Sequence, residues 1–127
     1  MQEKHLFEYA VIRLVPCVER EEFMNVGVIL YCSAQNFLKT AFEVKEERFR
    51  TFSCVLDIPE IKNHLIAFER ICEGGAKAGA IGQLPIGARF RWLTAPRSTA
   101  LQTSPVHTGL CLDPQAMLLR LLAKLVQ

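Results

Sequence analysis

Asn25-Val26-Gly27-Val28-Ile29-Leu30-Tyr31-Cys32, then Ser33-Ala34-Gln35-Asn36, then Phe37-Leu38-Lys39-Thr40-Ala41-Phe42-Glu43-Val44, is the stretch on which the fold turns. The first run is β-branched and apolar, as a well-buried strand is. Four residues, three of them polar, follow and read as a hairpin turn. The second run reads as the next strand. Gly27 within the first run marks a bulge or a close approach of another group.

Upstream, Leu6 to Val15 is rich in β-branched and aromatic residues and ends at Pro16, so it reads as a strand. Three strands with short links imply an antiparallel meander. Downstream, Lys45 to Phe52 is read as a short helix. A clear helix opens at Asp57-Ile58-Pro59, carries Ile61, Leu65, Phe68 and Cys72 on one stripe, and stops at Gly74-Gly75. Residues 76 to 87 read as a mobile loop, Pro85 to Thr94 as a short helix or a strand, and Thr99 to Val106 as a fourth strand. Asp113-Pro114 opens a last helix with Leu118, Leu121, Leu122 and Leu125 buried. The expectation is an α+β domain spanning residues 1–127, an antiparallel sheet of about four strands with helices packed on one face.

Composition fits that picture. Half of the 127 residues are apolar, enough for a core without staples. No apolar run approaches the ~18 residues of a membrane span, and the polar Met1 to His5 lacks a signal-peptide pattern; a cytoplasmic protein is expected. Five widely spaced cysteines form no Cys-x-x-Cys and read as reduced, buried thiols. Neither a cofactor nor a metal is indicated; Glu19, Glu21 and Glu22 read as a solvated connector.

The net charge of +2 hides an asymmetry. Residues 1–73 hold nine Lys/Arg against twelve Asp/Glu, a net −3, and residues 74–127 hold six against one, a net +5. From Gly74 to Leu112 there is no carboxylate, while Lys77, Arg89, Arg91 and Arg97 lie there with the chain's one tryptophan. Arg97 with Ser98 and Thr99 can bind an anion, since guanidinium forks and hydroxyls suit phosphate or carboxylate. The same arginines can instead pair with the acidic first half. Trp92 beside Arg91 can stack a base or a partner's side chain, or lie in the core. His107 with Ser104 suggests acid–base chemistry, but nothing local orients the ring, and a structural or binding role fits better. Arg13 interrupts an apolar strand and needs a partner, either Glu19 or Glu22 or a shared anion pocket with Arg97. Asn25 can hold a turn or line a site.

Four ordered segments, Tyr9 to Arg13, Glu22 to Leu30, Phe90 to Ser98 and Ser104 to Gly109 with Cys111, together resemble an uncharacterised bacterial family, domain-of-unknown-function family 3037. The resemblance brings no established activity. It implies a link to HipA-like kinases, through genes for such kinases lying beside those of the family. The leading expectation is a non-enzymatic interaction module, more regulatory than catalytic. It presents Arg13, Asn25, Arg91, Trp92, Arg97, Ser98, Thr99, Ser104 and His107 to an acidic or phosphorylated partner such as a HipA-like kinase. Two alternatives stay open: a small enzyme acting on a phosphorylated metabolite or nucleotide, and a nucleic-acid binder, which the modest basic balance disfavours.

Overall fold

The computed structural model describes residues 3–15, 23–45, 47, 58–75, 78–96 and 101–127. Over these the chain forms strands β1 (His5–Leu14), β2 (Met24–Cys32) and β3 (Phe37–Phe42), then helix α1 (Ile58–Glu73). A one-turn helix α2 (Gly79–Gly82) and helix α3 (Ile86–Leu93) follow, then β4 (Leu101–Thr103), β5 (His107–Cys111) and α4 (Pro114–Leu125). The α+β class and the antiparallel sheet stand. The segment read as a helix over Lys45 to Phe52 and the cap at Asp57 lie outside the described residues, apart from Lys45 and Glu47.

The sheet runs β3-β2-β1, and the far side of β1 is shared by two short strands. β4 pairs with Ile12 to Leu14, and β5 pairs with His5 to Tyr9. They lie end to end; β4 falls within the strand expected over Thr99 to Val106, whereas β5 lies beyond it and is a strand the sequence did not announce. Ser104 joins them: its N–H donates to the Val11 carbonyl at 2.8 Å and its hydroxyl accepts the Val11 N–H at 2.9 Å.

Helices were expected on one face; they occupy both. Ala10, Ile12, Leu14 and Ile29 meet Ile61, Leu65 and Cys72 of α1 and Phe90 and Leu93 of α3. Phe7, Val28, Leu30 and Cys32 meet Leu118 and Leu122 of α4. Alternation along a strand separates these sets onto opposite faces. The reason is legible in β2, whose unbroken apolar run leaves neither face fit for water.

The anticipated irregularity at Gly27 is a bulge. Ile12 pairs with Gly27 but Arg13 with Asn25, so Val26 is the extra residue. It turns toward α1 and is fully buried. Gly27 is also hemmed in: a Cβ there would lie 2.8 Å from the Ala41 carbonyl and 2.9 Å from the Phe42 Cβ.

The helix signals act as their chemistry predicts. The Asp113 carboxylate accepts the Gln115 N–H at 3.0 Å, with Pro114 in the first turn. α1 ends where Gly74 and Gly75 take positive φ. Within the segment expected to be a loop, α2 and its turn are ordered by bonds such as Gly75 N–H to Gly82 carbonyl at 3.0 Å. Pro85 to Thr94 is a helix, with Phe90 and Leu93 on its buried face.

Candidate functional site

In the segment without carboxylates, Arg89 and Arg91 are both engaged within the fold. Arg89 donates through Nη1 to the Ile71 and Cys72 carbonyls at 2.9 and 2.7 Å, and through Nε to the Leu84 carbonyl at 3.0 Å. It answers the free carbonyls at the end of α1, where a cation is favoured. Arg91 reaches across to Glu8, with Nη2 at 2.8 and 3.0 Å from the two carboxylate oxygens. Trp92 is 38% exposed. These residues lie on the α1/α3 side of the sheet.

Ser104 is buried, and its hydroxyl also donates to the Pro105 carbonyl at 2.9 Å. His107 is exposed on β5 opposite Tyr9, with ring centroids 5.3 Å apart. Arg97, Ser98 and Thr99 lie outside the described residues, as do Glu19 and Glu22, the expected partners of Arg13.

Arg13 and Asn25 come together. They are direct cross-strand partners at the bulge, and both face α4. Asn25 Nδ2 donates to the Leu125 carbonyl at 3.1 Å, fastening β2 to the C-terminal end of α4. The Arg13 guanidinium lies 4.2 Å above the centroid of the Phe23 ring, itself half exposed. Glu43, just past β3, continues the row; its N–H donates to the Val26 carbonyl at 2.8 Å. Lys45 Nζ lies 3.7 Å from a carboxylate oxygen of Glu43.

This row holds an unusual concentration of unmet hydrogen-bonding capacity. Arg13 Nε, Asn25 Oδ1 and Glu43 Oε2 are buried and bond to no protein group, and among the described residues no other buried side-chain oxygen or nitrogen is in that position. Each such group costs about 1–3 kcal/mol if left alone, so three in one place ask for an explanation. Met24, Asn25, Glu43, Lys45 and Val126 line a cleft of about 10 Å³ there. That is room for one water-sized group, such as a single oxygen or nitrogen of a larger ligand lying outside. Glu43 escaped the sequence reading, because plain alternation puts it on the face opposite Asn25 and only the bulge at Val26 brings the two together.

The described cysteines do not line this cleft. Cys32, Cys72 and Cys111 are free and buried. Burial pushes the Cys72 thiol up to about 12, against the opposing pull of the Arg89 guanidinium. Burial, reinforced by Cys32, raises the Cys111 thiol too. Such thiols stay protonated and inert. Among the described residues no three of His, Cys, Asp and Glu gather as a metal site. No described helix is long and apolar enough to cross a membrane.

Residues 9–126 match the model of the family described as Protein of unknown function (DUF3037). None of the curated proteins and none of the solved structures matches the chain.

Proposed function

Because the chain belongs to the family Protein of unknown function (DUF3037), its role has to be read from its own residues, and we propose a non-enzymatic interaction module that grips an anionic group of a protein partner at the Arg13 row. The observation that carries this reading is the meeting of Arg13 Nε, Asn25 Oδ1 and Glu43 Oε2, all buried and unbonded, in one row. A guanidinium already held against an aromatic ring keeps its fork free for a carboxylate or phosphate. The two acceptor oxygens suit a hydroxyl or amide N–H of the same partner. A phosphorylated or acidic segment supplies both kinds of group, and a HipA-like kinase or its substrate is the partner that the family resemblance implies.

An enzyme acting on a phosphorylated metabolite draws less support. It needs His107 near the anion, yet Tyr9, the partner of His107, is four residues along β1 from Arg13, about 13 Å of strand. A nucleic-acid surface on α3 draws less again, since Arg91 is paired with Glu8.

The test is affinity capture from native extract with the full chain, its Arg13→Glu variant and, for the segment outside the described residues, Arg97→Glu. Arg13→Glu is expected to lose a stoichiometric partner while its circular dichroism stays that of the parent. Undiminished capture by Arg13→Glu would remove the proposal.

A further inference from the structure

On the other face, away from the Arg13 row and independent of it, β3 and α1 form a groove for which the sequence reading has no role. We infer that it takes up an extended, lysine- or arginine-bearing peptide as an added strand beside β3.

β3 is an edge: among the described residues it pairs with β2 alone. The phase of that ladder follows from the bond of Glu43 N–H to the Val26 carbonyl. If 43 and 26 are a hydrogen-bonded pair, then Leu38, Thr40 and Phe42 turn their N–H and C=O groups outward. Edges exposed in this way are guarded in most proteins by proline, bulges or charged side chains, lysine above all. β3 has no proline, and its single charge is Lys39.

α1 runs alongside and closes the other wall. The groove measures about 370 Å³ and is lined by Lys39, Thr40, Ala41 and Phe42 of β3, with Glu69, Cys72 and Glu73 on the helix wall; Phe42 and Cys72 are its apolar side chains. The two glutamates are one helical turn apart, exposed, and in no ion pair with any described residue. Lys39 also lines the groove and is its one cation, so the lining holds two carboxylates against one ammonium. That ammonium lies 5.6 Å from the Phe37 ring, which packs on the α4 side. The groove is therefore apolar below, acidic on one wall, and open to backbone pairing on the other. Main-chain bonds to Leu38, Thr40 and Phe42 would supply affinity, and a cationic side chain meeting Glu69 and Glu73 would supply selectivity. About five residues span the strand at roughly 3.3 Å each.

A randomised hexapeptide display library selected against the full chain tests this. The expected outcome is enrichment of β-branched sequences bearing Lys or Arg. A synthetic winner should perturb the amide resonances of Leu38, Thr40 and Phe42, and bind the double variant Glu69→Lys, Glu73→Lys at least tenfold more weakly. Both substitutions are on the exposed face of α1, so the fold is retained. Enrichment of acidic peptides, no enrichment, or amide shifts confined to other strands would overturn the proposal. So would sedimentation of the free chain as a dimer whose interface is β3, because the occupant would then be a second copy.

Discussion

The hydroxyl of Ser104 stands where β4 has ended and β5 has not begun, and there it does the work of a backbone carbonyl for Val11. In the sequence the same residue sits among hydroxyls and beside His107, so it looked like part of a binding surface. No local pattern announces that a serine will fill a missing rung 93 residues away. Ser104→Ala leaves the Val11 N–H buried without an acceptor, and a loss of about 1–3 kcal/mol is expected in urea unfolding. Cys72 offers a second test. An unfolded cysteine ionises near pH 8.5, whereas the folded thiol holds its proton up to about 12. Across that window only the unfolded chain sheds the proton. The stabilising contribution is therefore whole at lower pH and fades as pH rises, at up to about 1.4 kcal/mol per unit. Cys72→Ala should flatten this part of the stability curve relative to the parent; equal slopes would mean that burial of the thiol does not govern it.

Elements whose signals are local were legible: three strands by composition, α4 by its cap, and α1 by its stripe and paired glycines. β4 was anticipated within Thr99 to Val106, and Pro105 falls in the gap after it; β5 was not, because what recruits His107 to Cys111 is the free edge of β1 and no strand pattern of its own. The two-sided burial of β2 was written in its apolar run, and α4, which covers the second face, was itself legible; no local pattern told that it would lie on the face opposite α1. Arg89 shows the limit most clearly. Its three carbonyl partners come from α1 and the α2–α3 link, so a residue expected to meet an anion or an acidic side chain is the fastening of one helix end to another. Arg89→Met should cost about 2 kcal/mol by thermal or urea unfolding. Arg89→Lys should recover little, because one ammonium cannot reproduce the planar fork. Full recovery by lysine would reduce the role to charge alone.

For the molecule as a whole, β2 is the centre: bounded by β1 and β3 in the sheet, and by α1/α3 and α4 across it. Its amides from Val26 to Leu30 should exchange hydrogen only through global opening, and those of β5 through smaller local openings. Mass-spectrometric exchange resolves this, and faster exchange in β2 than in β5 would contradict the layered core. The candidate site follows the same logic. Its three members come from β1, β2 and the end of β3, and they meet only because the bulge at Val26 sets Asn25 opposite Arg13.

The shared edge of β1 also governs the order in which the protein can be made. β1 leaves the ribosome early, but β4, β5 and α4, which complete its pairing and cover its second face, are encoded in residues 101–125. During synthesis the meander must wait with an unpaired edge and a bare apolar face, since contacts so distant in sequence close late. The nascent chain thus depends on shelter until residues 101–125 arrive, and a ribosome stalled before Leu101 would hold a sticky, unfinished sheet.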